Sequence, residues 1–308
     1  MTRLALPVLA LVVIGAAWGG TQPLAKIAVS EGYRHVGLIF WQQVIGALAL
    51  GAITLARGQR LPLGAAHLRL YTVIALMGTV LPGITSFTAA VHLPAGILSI
   101  LLSSVPLLAF PVALLMGNDT FAWRRLIGLA LGLAGVALLV LPDSALPDPA
   151  QAVWIPVALL SSAFYAYEGN YVARYGTQGL GPFQTLFGAS LVGCVIVLPL
   201  ALLSGQFIDP RGPWGAPDKA LIASSLLHAG AYSGYVWLVG IAGSVFAVQV
   251  SYFVTLFGVT WAMLFLNEAY APLIWGAMAL MLAGMALVQP RPRAPLVEAG
   301  AFGQDTAG

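Results

Sequence analysis

Apolar runs of about 20 residues, the length a helix needs to cross a hydrocarbon core of roughly 30 Å, follow one another along almost the whole chain. They fall near residues 5–28, 36–56, 69–91, 94–116, 123–141, 152–173, 182–203, 219–240, 243–266 and 272–289. Such a chain has few folds open to it. In lipid every backbone N–H and C=O must be satisfied without water, so successive runs of this length read as helices. Composition points the same way: 60% of the 308 residues are hydrophobic and 7% charged, with a mean hydropathy of +0.93. A soluble domain wets its surface with about 25% charged residues. The expectation is an all-α integral membrane protein with ten transmembrane helices, its partner the lipid bilayer.

Turn and charge chemistry fills the interruptions. Arg57-Gly58-Gln59-Arg60-Leu61-Pro62, Pro142-Asp143 through Asp148-Pro149, and Asp209-Pro210-Arg211-Gly212-Pro213-Trp214 separate runs. Pro94, Pro182 and Pro272 stand where runs begin, a position that tolerates a missing N–H. The breaks near Pro94 and Gly240–Gly243 are short enough to force tight hairpins. The start, Met1-Thr2-Arg3, has a signal-like charge, but the apolar run passes Trp18 and reaches Ala28 without a small-x-small cleavage site, so it reads as an uncleaved helix. Cys194 is the single cysteine and forms no internal disulfide. Residues 291–308 read as a disordered cytoplasmic tail.

Basic residues set the orientation. With the N-terminus cytoplasmic, one side carries Arg3, Arg57, Arg60, Arg69, Arg124, Arg125, Arg174, Arg291 and Arg293, and the other only Lys26, Arg34, Arg211 and Lys219. That bias favours both termini in the cytoplasm. It also makes the net charge of +3 a topology signal, with no nucleic-acid partner implied.

The chain repeats itself. Leu133-Ala134-Gly135-Val136-Ala137-Leu138 echoes Leu282-Ala283-Gly284-Met285-Ala286-Leu287, each glycine preceded at the same distance by an acid, Asp119 or Glu268. Ala25-Lys26 likewise corresponds to Ala173-Arg174. Two five-helix copies, 1–142 and 152–290, joined by a linker at 143–151, account for these echoes. Five is odd, so the second copy enters the membrane from the opposite face. Secondary transporters use inverted repeats of this kind to build a site near the midplane.

In these features the chain resembles the EamA-type family of the drug/metabolite transporter superfamily. The carrying residues are Trp18-Gly19-Gly20 with Lys26 closing the first helix. In each half they are followed by an acid after the fourth helix, then a fifth helix ending in Leu-Ala-Gly-x-Ala-Leu. The family's acid is commonly a Glu followed by a basic residue; here Glu268 precedes Ala269, and the first half reads Asn118-Asp119-Thr120. The resemblance covers about residues 5–290. It implies a multi-pass transporter of the bacterial inner membrane that exports a small solute. Its members are similar to exporters of amino acids, metabolites, drugs and nucleotide-sugars, so no single substrate is implied.

Among ten acidic residues only Glu168 lies well inside a run. A charge at the centre of a membrane helix costs roughly 2.5–3.5 kcal/mol on insertion scales, so it should face the bundle interior or a wet cavity. It is a candidate proton site or partner for a cationic substrate group; the competing reading is an ion pair with Lys26 or an interfacial acid. Trp18, Gln22, Tyr165, Asn170, Tyr232, Tyr235, Gln249 and Tyr252 are candidate lining residues. Trp18 and Gln22, four apart, share a helical face, and Gln249 interrupts an apolar run. Taken singly, most of these fit helix–helix hydrogen bonding or an interfacial aromatic belt as well as a site. Trp, Tyr and Gln around one acid suit amino acids or small amphipathic metabolites.

Nothing points to a cofactor, a metal or an enzyme. No second ligand lies at metal spacing from His92 or His228, and neither Gly-x-Ser-x-Gly nor a Walker A motif occurs. Lys26 and Lys219, the only lysines, sit near the ends of runs, which leaves a retinal Schiff base no host at mid-membrane. An intramembrane enzyme, a receptor and a non-transporting scaffold are the alternatives to a proton-coupled or uncoupled carrier working by alternating access.

Overall fold

The computed structural model describes residues 2–140, 148–242, 244–247 and 249–288. The expected turn at Pro142-Asp143, most of the linker, Pro290 and the tail with Arg291 and Arg293 lie outside the described residues. Every regular element among the described residues is helical, and proline placement explains where the helices break.

Helices α1 (Thr2–Gly19) and α2 (Thr21–Val29) form one span interrupted at Gly20. Pro23 has no N–H for the Gly19 carbonyl. Close by, Thr21 Oγ1 donates to the Trp18 carbonyl at 2.7 Å and Trp261 Nε1 to the Ala16 carbonyl at 3.0 Å. After α3 (His35–Ala56) come α4 (Ala65–Ala75), a π-helical turn (Leu76–Val80) and α5 (Leu81–His92). Here Pro82 removes the α-helical partner of the Gly78 carbonyl, and the ladder widens so that the Leu81 N–H bonds the Leu76 carbonyl. Leu93, held extended by the proline after it, leads through Pro94 into α6 (Ala95–Leu102). A further break at Ser103-Ser104 precedes α7 (Val105–Leu115), where Pro106 leaves the Leu102 carbonyl without its donor. The two hydroxyls bond the Ile100 and Leu101 carbonyls at 2.6 Å. Beyond lie α8 (Trp123–Val140), a 3-10 turn (Pro149–Val153), α9 (Trp154–Tyr175), α10 (Pro182–Leu203), α11 (Ala216–Ala242), α12 (Ser244–Ala247), α13 (Val250–Leu266) and α14 (Pro272–Val288).

Among the described residues six helical stretches are long and apolar enough to cross a membrane: Ala5–Val29, His35–Ala56, Ala65–His92, Ala95–Leu115, Pro149–Tyr175 and Pro182–Leu203. Val250–Leu266 and Pro272–Val288 are shorter apolar helices. Large apolar side chains also cover the outside, Leu115 and Leu203 being 88% and 87% exposed. A water-facing surface would not present them so freely.

The helices pair across the chain. α8 lies along α14, α3 along α10, and α1 against α11 and α13; α9 packs on α5 and α7, α11 on α2 and α3, α10 on α4, and α13 on α6. The closest pair is built on glycine. A Cβ at Gly284 would stand 2.5 Å from the Gly128 carbonyl oxygen, and one at Gly128 2.6 Å from that of Gly284. On α11 a Cβ at Gly234 would meet Ile14, whereas one at Gly230 would meet nothing within 4 Å. Overpacking a tight contact costs typically about 1–3 kcal/mol. Gly284→Leu is therefore expected to lower the thermal midpoint of the purified protein, whereas Gly230→Ala leaves it unchanged; fluorescence-detected unfolding in detergent reads both.

The connection from α10 to α11 folds back on the start of α3. Gln206 Oε1 accepts the Val36 N–H at 3.2 Å, and Trp41 Nε1 donates to the Ile208 carbonyl at 2.9 Å. In the same loop, hydrogen bonds from the Arg211 guanidinium hold the Asp209 carboxyl down at about 2. That turn keeps its charge pair throughout the neutral range.

Candidate functional site

Glu168 lies on α9 at 6% exposure. The Tyr232 hydroxyl of α11 donates to its Oε1 at 3.4 Å, and Tyr165 stands one turn earlier on the same face of α9. From a third side comes the π-helical turn. A Cβ on Gly78 would lie 2.7 Å from the Glu168 carboxyl carbon and Oε1 and 2.8 Å from Oε2, so the acid rests on bare helix backbone. Trp18, next to the break between α1 and α2, meets three rings of α11 edge to face. Its centroid is 5.9 Å from that of His228, 6.1 Å from Tyr232 and 6.1 Å from Tyr235. These spacings are typical of favourable aromatic pairs, each worth about 0.5–1.5 kcal/mol.

The structure thus gathers Glu168, Tyr165, Trp18, Tyr232 and Tyr235, and adds His228, which the sequence reading considered only as a metal ligand. The signal for His228 was its spacing: 228, 232 and 235 fall at i, i+4 and i+7 on one helical face. Among the described residues no group of three His, Cys, Asp or Glu side chains gathers to hold a metal.

The remaining candidates stand elsewhere. Asn170 ties helices together: its Nδ2 donates to the Ala109 carbonyl at 3.0 Å and the Ala166 carbonyl at 2.9 Å. Asn118 Nδ2 donates in turn to the Asn170 carbonyl at 2.9 Å. Gln22 lies one turn on from Trp18, past Gly20, whose backbone stays right-handed helical with its N–H on the Ala16 carbonyl at 3.1 Å. Gln249 does not sit inside a continuous helix. It caps the N-terminal end of α13, its N–H on the Phe246 carbonyl and its own carbonyl accepting the Tyr252 N–H, both at 3.1 Å. His92 stacks on Trp154 at 3.9 Å between centroids.

Lys26 is not the partner of Glu168. Its Nζ donates to the carbonyls of Ala90 (2.8 Å), Val91 (3.3 Å) and Leu93 (3.0 Å) at the C-terminal end of α5. One residue beyond that corner, Glu268 accepts the N–H groups of Ala95 at 2.8 Å and Gly96 at 3.2 Å, at the start of α6. Tyr270 donates its hydroxyl to the same carboxylate; burial and the neighbouring carboxylate raise that phenol well above its ordinary range, which keeps it a donor. A cation on a helix C-terminus and an anion on a helix N-terminus are each placed where the helix dipole favours them. The counterparts of this pair in the other half bond differently: Arg174 donates to the Met116 carbonyl at the end of α7, and Asp119 pairs with Arg125.

The comparisons agree on one kind of protein. The model of the EamA-like transporter family matches residues 5–141 and again 152–289. The chain is similar to a probable terminal-alkyne amino-acid exporter of Streptantibioticus cattleyicolor, 24% identical over 94% of this chain and 95% of that one. It is also similar to the uncharacterized inner membrane transporter YedA of Escherichia coli K12, 27% identical over 61% of this chain and 60% of that protein's length. A solved crystal structure at 18% identity superposes with a TM-score of 0.60, covering 91% of this chain and 95% of the other, which shows a shared fold.

Proposed function

Because this chain belongs to the EamA-like transporter family, we propose that it is a secondary transporter that exports an amino acid or related small amphipathic solute across the inner membrane by alternating access. The observation that carries this reading is the Glu168–Trp18 cluster. Its walls come from α1 and the π-turn, early in the chain, and from α9 and α11, late in the chain, so the polar groups lie where two halves meet. Similarity to a probable terminal-alkyne amino-acid exporter favours this substrate class and direction, and similarity to an uncharacterized inner membrane transporter favours this location.

Helix pairing supports two inverted five-span halves, 1–142 and 152–290. The six long stretches together with α8, α11, α13 and α14 make ten spans. Exchanging each first-half span for its second-half counterpart turns the α2–α11 contact into α9–α5, α1–α13 into α9–α7, and α3–α11 into α10–α4. The α3–α10, α8–α14 and α6–α13 contacts map onto themselves. Such exchange is the mark of a two-fold axis, and with an odd number of spans per half the axis lies in the membrane plane. The basic-residue bias supports cytoplasmic termini. On that topology the Lys26–Glu268 clamp closes the outer face in this conformer.

Chemically, the cluster offers one carboxyl for a proton or a substrate ammonium, and aromatic rings for the apolar part of the solute or for cation–π contact. The decisive experiment is flux of labelled amino acids and cationic amphiphiles into proteoliposomes, with and without an imposed pH gradient, alongside reporter fusions at both termini. Saturable flux with both reporters cytoplasmic is expected. Termini on opposite faces, or no flux above empty vesicles for either solute class, would sink the reading. Trp18→Ala is expected to raise the KM about tenfold with little change in maximal rate, since it removes the ring offered to the apolar part of the solute, an aromatic contact of about 0.5–1.5 kcal/mol; Trp18→Phe restores part of the loss.

A further inference from the structure

We propose that Gly78, in the π-helical turn, is a positioning residue for Glu168: its missing side chain is the seat that holds the carboxyl in its proton-accepting pose. The inference rests on the transport reading above but goes beyond it, because it assigns a role to a residue and a backbone irregularity outside the acid itself.

Two separate observations meet at this point. The first is steric. Both carboxyl oxygens and the carboxyl carbon of Glu168 crowd the place a Cβ of Gly78 would occupy, all within 2.8 Å. No side chain fits there without moving the acid. The second is the backbone itself. Residues Leu76–Val80 are π-helical, and Pro82 has no N–H to give the Gly78 carbonyl in an α-helical ladder. Short π-turns of this sort recur at functional sites because they reshape a helix without ending it. Here the widened turn faces α9, and α9 also packs on this turn and on α5. The Tyr232 hydroxyl of α11 also reaches the acid, donating to Oε1 at 3.4 Å. Glu168 thus meets both a phenol and buried peptide bare of a side chain, a setting whose hydrogen-bonding character changes with the protonation of the carboxyl.

The test uses the proton as its probe and needs no known substrate. Infrared difference titration of the full chain in nanodiscs is compared with the same titration of Glu168→Gln, which isolates the carboxyl band of residue 168. In Gly78→Ala the midpoint of that band is expected to move by about one pH unit or more, a tenfold change in proton affinity. Gly78→Ala combined with Glu168→Asp, which withdraws the carboxyl by one methylene, is expected to bring it back toward the wild-type value. Pro82→Ala, which restores the N–H and adds no bulk beside the acid, is expected to move the midpoint as well, and it decides the matter if Gly78→Ala does not fold. An unmoved midpoint in whichever of these single variants folds, or a double variant no closer to wild type than Gly78→Ala, overturns the positioning role. The transport reading fails separately, on absent flux or on termini at opposite faces, and Glu168→Gln transporting like wild type under a pH gradient would remove only the acid's proton role, whatever Gly78 does.

Discussion

Replacing Glu168 by glutamine is expected to abolish the response of transport to a pH gradient, with accumulation reduced at least about a hundredfold, while the protein stays folded. Glutamine has nearly the same shape and still accepts the Tyr232 hydroxyl through its amide oxygen, so the packing around the π-turn is preserved. What it lacks is the proton. A hundredfold corresponds to about 2.8 kcal/mol of coupling at about 1.4 kcal/mol per tenfold, a modest demand on one carboxyl buried to 6% exposure. Stability supplies the control. A carboxylate buried for structural reasons alone would have a cationic partner, and deleting one member of a buried pair costs about 3–5 kcal/mol. Lys26 is instead engaged with the end of α5, and Glu168 accepts a hydrogen bond from a phenol, that of Tyr232. The glutamine variant should therefore unfold at the wild-type temperature or above it, since the cost of burying a charge is gone. Parallel flux and unfolding measurements distinguish the two cases: unchanged pH-driven flux, or a large fall in stability with flux lost, would remove Glu168 from the coupling role.

How far the sequence reached can be followed residue by residue. Run lengths and prolines placed the helices, because the need to satisfy backbone groups in lipid leaves little freedom. A proline inside a run, such as Pro82, must free a carbonyl, but whether the helix answers with a kink, a break or a π-turn depends on the neighbour packed there, here Glu168. Glu168 stood out by the cost of its charge. Asn170, two residues on, looked equally polar in an apolar setting, yet two residues rotate a side chain by about 200°, and it turns to the Ala109 carbonyl instead. Helix rotation decides between site and strut, and rotation is set by tertiary contacts. Trp18 and His228 meet across 210 residues of chain for the same reason. Lys26 and Glu268 were legible as repeat markers through their spacing from Arg174 and Asp119. Nothing local could show that they grip one corner from two ends of the sequence.

That corner gives the second large effect. Lys26 comes from the first span and Glu268 from the connection between α13 and α14, so the α5–α6 turn is held by both halves at once. Hydrogen bonds to charged groups contribute about 1.5–3 kcal/mol each, and the two ions together make five hydrogen bonds with backbone carbonyls and N–H groups. Any motion that parts the halves at this face must break some of them. Lys26→Met with Glu268→Ala is expected to shift the population toward the open form of this face by about a hundredfold, taking about 3 kcal/mol as the net loss. Spin labels at Ser30→Cys and Ala269→Cys, both exposed, in a Cys194→Ser background would report it as a longer and broader distance distribution in nanodiscs. Lys26→Arg, which keeps the charge and the donors, should stay close to the parent distribution. Solute accumulation in the double variant should fall although Glu168 and Trp18 are intact, because a carrier held open on one side cannot complete its cycle. If the label distances of the double variant match those of the parent, the clamp is a fixed brace between helices and the gate must be sought at the other end of the bundle, where Arg174 and Asp119 have taken different partners.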